Sequence, residues 1–270
     1  MRPQSRIRLF ASLVWNTAVT PTTAGCLALT TALFVSIDGS AQTRWVTSGT
    51  TEDLSARRQP YHFVVPPGKQ AEDIVDIAID GSNNYVFAWF RGTRGEPREV
   101  SAGTTEDLDH YRQPYSSRFP EGYTSADVVG IGIDDRGRNG ETTYVFFRDC
   151  NYAVGTSDDL HTRLYPYLPA GGRTCNDILS IAMDGDFWRR DGQGGESRAL
   201  VAYAWYNDGT VSAGYMPERN DRLWGVTASL SSYRQPYHYV LPSNWNSSMR
   251  ILGIGIDGEN NHVYTFYLEN

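Results

Sequence analysis

Three kinds of side chain in this sequence could do chemistry, and each recurs along the chain. Adjacent carboxylates stand at Glu52-Asp53, Glu106-Asp107 and Asp158-Asp159. Glycoside hydrolysis uses two carboxylates, one on each side of the scissile bond. Neighbours on one turn rarely face one substrate, and a catalytic pair need not occur three times, so these pairs read as turn formers. Asp80, Asp134, Asp184 and Asp257 form a second set, each ending a short apolar run. Gathered on one axis, their oxygens could hold Ca²⁺, which takes about six to eight oxygen ligands. Taken singly, each would organise its own turn through an Asx hydrogen bond. Asp73, Asp127 and Asp177 begin the same runs, but Arg250 stands in the fourth and breaks any four-fold ion site at that end.

The third set is Arg-Gln-Pro-Tyr, which places Arg58 with Tyr61, Arg112 with Tyr115, and Arg234 with Tyr237. In the third copy Leu164-Tyr165 replaces Arg-Gln, and Tyr167 is read as keeping the tyrosine. Arg and Gln suit sugar hydroxyls, and Tyr offers an apolar face to a sugar ring. Weak sites repeated on one scaffold gain avidity. The alternative is packing, with Tyr against its sheet and Arg bonding loop carbonyls. One region breaks the repeat. It carries Phe187, Trp188, Arg189, Arg190 and Asp191, then Glu218, Arg219, Asp221, Arg222 and Trp224. Aromatics beside Arg and carboxylates suit a unique pocket; a pair of long solvated loops is the plainer reading. His62 and His238 follow Pro-Tyr at one repeat position and read as structural, and neither an HExxH nor a GxSxG motif is present.

The elements that position these residues form a four-fold repeat. A short apolar run opens each unit: DIVDIAIDG (73–81), DVVGIGIDD (127–135), DILSIAMDG (177–185) and RILGIGIDG (250–258). An aromatic alternating run follows: NYVFAWFRG (84–92), TYVFFRD (143–149), ALVAYAWYNDG (199–209) and HVYTFYLEN (262–270). The third element is WVTSGTTEDL (45–54), EVSAGTTEDL (99–108), NYAVGTSDDL (151–160) and TVSAGYMPE (210–218); the fourth follows the Pro-Tyr pair. Equivalent aspartates are 54, 50 and 73 residues apart, so the last interval carries insertions. Runs rich in Val, Ile, Tyr, Phe and Trp, bounded by Gly, Asn, Asp and Pro, are strands. Gly253-Ile-Gly-Ile-Asp-Gly258 matches a dinucleotide fingerprint by letter, but no helix follows it, so that reading is rejected.

Four strands repeated four times predict an all-β, four-bladed β-propeller of about 50–70-residue repeats. The blades fall at about 44–66 plus 250–270, 72–120, 125–171 and 176–242. The repeat is permuted: residues 44–66 supply outer strands and 250–270 inner strands. Pairing the two termini in one blade closes the ring and leaves no free edge there. On the first strand one parity is small (Asp76, Gly130, Ser180, Gly253) and the other is large (Ile77, Ile131, Ile181, Ile254). Small residues let four blades converge on an axis.

Residues 1–41 read as a signal peptide. Arg2, Arg6 and Arg8 precede an apolar stretch clearest at 26–37, and Gly39-Ser40-Ala41 places small residues before a cut between Ala41 and Gln42. The apolar stretch falls short of the roughly 20 residues of a membrane span. Cleavage would remove Cys26 and leave Cys150 and Cys175, which in an exported protein suggests one disulfide. The chain carries a net charge of −7 over 270 residues, and Lys69 is its only lysine. That balance argues against nucleic acid, whose phosphates need a basic face.

The short inner strand DIVDIAID, the aromatic YVFAWF strand, an outer strand and a Pro-containing loop together resemble the hemopexin-type four-bladed propeller over about residues 44–270. The resemblance implies that fold and makes an ion in the central channel worth testing. The GTTEDL and YRQPY signatures lie outside the family's pattern, so haem capture and collagen docking are not carried over. The expected function is that of a secreted, non-enzymatic protein recognising glycans or a cell-surface partner through its elaborated loops. The alternative is a secreted hydrolase or lyase with its site in the fourth-repeat loops.

Overall fold

The computed structural model describes residues 42–81, 85–92, 97–134, 142–161, 163–190, 196–217, 227–258 and 262–269. The expected signal segment lies outside them. The protein is all-β, with four small sheets arranged in a ring as a four-bladed β-propeller. Blade 1 orders β16 (Met249–Asp257), β17 (His262–Glu269), β1 (Thr43–Gly49) and β2 (Arg58–His62) from the axis outward. The ring therefore closes by pairing the first strand with the last, Thr43 opposite Glu269 through Gly49 opposite Val263. Blade 2 is β3 (Ile74–Asp80), β4 (Tyr85–Arg91), β5 (Pro97–Gly103) and β6 (Arg112–Ser116). Blade 3 is β7 (Val128–Asp134), β8 (Thr142–Phe147), β9 (Asn151–Gly155) and β10 (Tyr165–Leu168), extended by the two-residue β14 (Ala228–Ser229). Blade 4 is β11 (Ile178–Arg190), β12 (Glu196–Tyr206), β13 (Thr210–Tyr215) and β15 (Arg234–His238). Its first hairpin is lengthened by the extra residues expected in that repeat.

The inner strands read as near-continuous apolar runs, as burial on both faces requires. Every residue of β7 is buried, because one face meets one neighbouring blade and the other face meets the next. The core accordingly divides into four clusters, one per blade junction. Ile77, Phe90 and Phe266 fill junction 1–2, and Trp89, Ile131 and Phe147 fill junction 2–3. Ile181, Phe146 and Tyr206 fill junction 3–4, and Ile254, Trp205 and Val201 fill junction 4–1.

The axis is two-fold rather than four-fold. Blades 1 and 3 place glycine there: a Cβ on Gly253 would lie 2.5 Å from Asp76 Oδ1, and one on Gly130 would lie 2.5 Å from the Ile181 amide nitrogen. Blades 2 and 4 place Asp76 and Ser180 at the same register, and both are buried. Asp76 accepts a hydrogen bond from the Ile131 amide of the next blade. Burial drives its carboxyl pKa well up, outweighing the backbone hydrogen bonds from Ile77 and Ile131 that pull it down.

A carboxyl with a raised folded pKa holds its proton where the unfolded chain has lost its own. Its contribution to stability is therefore largest below the unfolded pKa of about 4 and falls as pH rises toward the folded value. Asp76→Asn keeps an acceptor for Ile131 and removes that penalty. Its melting temperature should match the parent near pH 4 and exceed it increasingly from pH 5 to pH 8. Parallel pH slopes for the two proteins would contradict a neutral Asp76.

Candidate functional site

The recurring motifs meet at the blade junctions. The turn after each third strand is tied by its own residues. Thr50 Oγ1 accepts the amides of Glu52 and Asp53, Asp53 O accepts the Thr50 amide at 2.7 Å, and Asp53 Oδ1 accepts the Ser55 amide. Thr104 and Asp107 repeat this arrangement. A glycine precedes each turn (Gly49, Gly103, Gly155, Gly214), because the carbonyl four residues on, or Ser229 in blade 4, occupies the place of a Cβ. The paired carboxylates thus divide their work. The Asp holds its own turn and the Glu reaches out.

The partner it reaches is the Arg-Gln-Pro-Tyr strand of the preceding blade. Arg58 Nη1 donates to Glu106 Oε1 at 2.9 Å, and Tyr61 OH donates to Thr105 Oγ1 at 3.0 Å. Across the ring closure Arg234 Nη2 donates to Glu52 at 2.8 Å, and Tyr237 OH donates to Thr51 at 2.9 Å. At junction 2–3 Tyr115 OH bonds Ser157 Oγ at 2.9 Å. Each arginine stacks over its own tyrosine, with the guanidinium carbon 3.5, 3.4 and 3.5 Å from the ring centres of Tyr61, Tyr115 and Tyr237. Backbone continues the latch: the Val64 amide donates to Glu106 O and the Val240 amide to Glu52 O. Burial raises the pKa of Tyr61 and Tyr237, against the hydrogen bonds that lower it. Five of the six residues singled out for sugar hydroxyls therefore have their polar ends on the neighbouring blade, and the sixth, Arg112, stacks on Tyr115; this is the packing alternative in a form that crosses between units.

These latches differ in strength. The Arg58–Glu106 pair is more than half exposed on both sides. Glu106→Gln should therefore change stability by less than about 1 kcal/mol. Tyr61→Phe and Tyr237→Phe each remove a half-buried hydrogen bond and should each cost about 0.5–1.5 kcal/mol. Urea melts of the three variants check the ranking.

Junction 3–4 corrects two sequence assignments. Tyr165 lies opposite Tyr152 as Tyr61 lies opposite Val46, so Tyr165, not Tyr167, holds the motif's tyrosine position. The loop before it is two residues shorter, which displaced the alignment. In blade 4 the equivalent of Glu-Asp-Leu is Ala228-Ser229-Leu230, not part of Gly214–Glu218. β14 pairs with β10, the Leu230 amide donates to Leu168 O at 2.9 Å, and Leu230 is fully buried like Leu54, Leu108 and Leu160. The insertion thus falls between Met216 and Thr227. This junction has no Arg–Glu latch among the described residues and carries the Cys150–Cys175 disulfide instead.

A second arrangement lies at the ends of the inner strands. On blade 2 Tyr85 and Tyr111 pack with ring centres 4.5 Å apart and are 37% and 50% exposed. On blade 4, Tyr233 at the register of Tyr111 packs on Phe187 at 4.6 Å and on Tyr215 at 5.3 Å, and is 40% exposed. Burial and the neighbouring Tyr215 raise the Tyr233 pKa, so its hydroxyl stays a donor at neutral pH. Blades 2 and 4 face one another across the ring. Blade 1 fills the same place with Arg57 and His262, Nη1 to Nε2 3.0 Å. Sequence reasoning named Phe187 but missed Tyr85, Tyr111, Tyr215 and Tyr233. The signal available was the tyrosine before two of the three Arg-Gln-Pro-Tyr motifs.

Of the residues proposed for a unique pocket, Asp191, Glu218, Arg222 and Trp224 lie outside the described residues. Trp188 and Arg189 are in β11, opposite Arg198 and Ser197, and their side chains are outside the description. Asp80, Asp134 and Asp257 end their inner strands and Asp184 lies midway along the longer β11; all four are buried, and none is without a partner. Among the described residues no three His, Cys, Asp or Glu side chains gather as a metal site.

The fold and these junctions define the class: an all-β four-bladed propeller whose blades are latched edge to edge. No protein family model matches the chain, and no curated protein matches it. Among solved structures it is similar to Raptor from Chaetomium thermophilum at 9% identity and a TM-score of 0.32, over 86% of this chain and 30% of that one.

Proposed function

We propose that the protein is an exported, non-catalytic binding protein that holds glycans on the aromatic face of blades 2 and 4. The observation that carries this reading is the pair of exposed tyrosine platforms, Tyr85 with Tyr111 and Tyr233 with Phe187, on opposite blades of one rigid ring. An aromatic ring with a polar tip suits a sugar, whose C–H face stacks while its hydroxyls bond. Two platforms on one scaffold suit a repeating ligand. The disulfide supports an oxidising compartment, and among the described residues no helix is long and apolar enough to cross a membrane. The hemopexin-type likeness belongs to the same proposal, as a likeness of pattern. A cell-surface protein is the other partner of this reading. The hydrolase alternative rests on Asp191, Glu218 and Asp221, and no observation favours it.

The test is a glycan array followed by calorimetry on the purified chain, with and without Ca²⁺. Tyr111→Ala and Tyr233→Ala should each weaken a hit by about two- to tenfold, from the roughly 0.5–1.5 kcal/mol that an aromatic contact adds beyond its buried area. No binding in either buffer, or affinity unchanged in both variants, would overturn the glycan reading.

A further inference from the structure

The opposite end of the channel has a different character. The first residues of all four inner strands surround a cavity of about 190 Å³ there. Three arginines line it: Arg91 from the end of β4, Arg148 just beyond β8, and Arg250 from the start of β16. Arg250 is the residue that replaces the aspartate of the other three units. Arg148 is oriented by its Nε, which donates to Ala126 O at 2.9 Å. Neither Arg91 nor Arg250 makes an ion pair with any described residue. All three are exposed at its mouth, where water screens their mutual repulsion, and among the described residues Asp76 is the only acid in the lining. That carboxyl is buried and its neutral form is favoured, so it does not neutralise them. One more observation points inward. Ser180 also lines the cavity, is buried, and its Oγ has no hydrogen-bond partner among the described residues. A buried hydroxyl left unpaired in a native protein calls for a missing partner.

We propose that this cavity binds one small oxyanion of the phosphate or sulfate class, gripped by Arg91, Arg148 and Arg250 and hydrogen-bonded by Ser180. Guanidinium groups match such anions in two-pronged geometry. The size selects a free ion, since pockets for larger ligands begin at about 300 Å³. The site is independent of the glycan reading, which uses the other end of the ring.

The experiment follows thermal unfolding and calorimetry of the full chain with inorganic phosphate and with sulfate, against sodium chloride at matched ionic strength. One saturable site is expected, with a melting temperature that climbs with the logarithm of phosphate and stays flat with chloride. Arg250→Gln, and Arg91→Gln with Arg250→Gln, should lose roughly tenfold or more in affinity, whereas Arg163→Gln on the outer edge should lose none. Ser180→Ala has no hydrogen bond to forfeit, so it should melt like the parent without phosphate and bind severalfold more weakly with it. Absence of saturation overturns the site. So does Arg250→Gln or the double variant binding as tightly as the parent.

Discussion

Gly130→Ala should lower stability by roughly 4 kcal/mol or more, at the extreme of single substitutions. The added methyl group would lie 2.5–2.7 Å from the amide nitrogen, Cβ and carbonyl oxygen of Ile181 in the next blade. Two of those three atoms are backbone, in a strand whose own ladder fixes it, so nothing yields except the spacing of the blades. Core packing at native density transmits such strain rather than absorbing it. For a chain of this size the melting temperature should fall by about 10 °C. Gly122→Ala is the comparison. It has φ +87 but open space around it, so its cost is conformational and near 1 kcal/mol. Calorimetric melts of the two variants separate contact from conformation. A Gly130 variant within 1 kcal/mol of the parent would mean that blades 3 and 4 do not approach as closely as the ring requires.

That glycine belongs to a pattern the sequence displayed without explaining. Gly130 and Gly132 in blade 3 match Gly253 and Gly255 in blade 1, while blades 2 and 4 carry Asp76 with Ala78 and Ser180 with Ala182. The second strands alternate the same way: Phe266 and Phe146 in blades 1 and 3, Trp89 and Trp205 in blades 2 and 4. Small residues at the axis sit in the blades with smaller rings further out. The exposed tyrosine platforms follow the larger set. Strand identity, repeat order and ring closure were legible because they depend on local parity and on the permutation of one motif. The latches were not. Arg234 and Glu52 are 182 positions apart, and no spacing says that a motif's partner lies in the next unit. Tyr165 was misplaced because a two-residue deletion leaves a plausible Pro-Tyr in the wrong register. The aromatic platforms were hidden because Tyr85 and Tyr111 read singly as strand and loop residues.

Opening the Cys150–Cys175 disulfide is the second large effect, because it sits at a junction with no Arg–Glu latch among the described residues. Junctions 1–2 and 4–1 each have an Arg–Glu pair, a Tyr–Thr hydrogen bond and parallel backbone bonds. Junction 3–4 has a four-residue β10 and a two-residue β14 joined by one short parallel pairing. The disulfide spans 25 positions, from the turn between β8 and β9 to the 3-10 turn that leads into β11. Closing a loop of that length removes unfolded-chain entropy worth about 3.5 kcal/mol. Cys175 is buried in the cluster shared by blades 3 and 4, so removing it also leaves a packing defect. The pair Cys150→Ser and Cys175→Ala should therefore melt about 10 °C below the parent. The loss should be local before it is global. Hydrogen exchange of the reduced chain should show β10 and β14 amides losing protection first, while β2 and β15 keep theirs through the latches to Glu106 and Glu52. Uniform loss around the ring would instead mean that the four junctions open as one unit and that the disulfide holds none of them in particular.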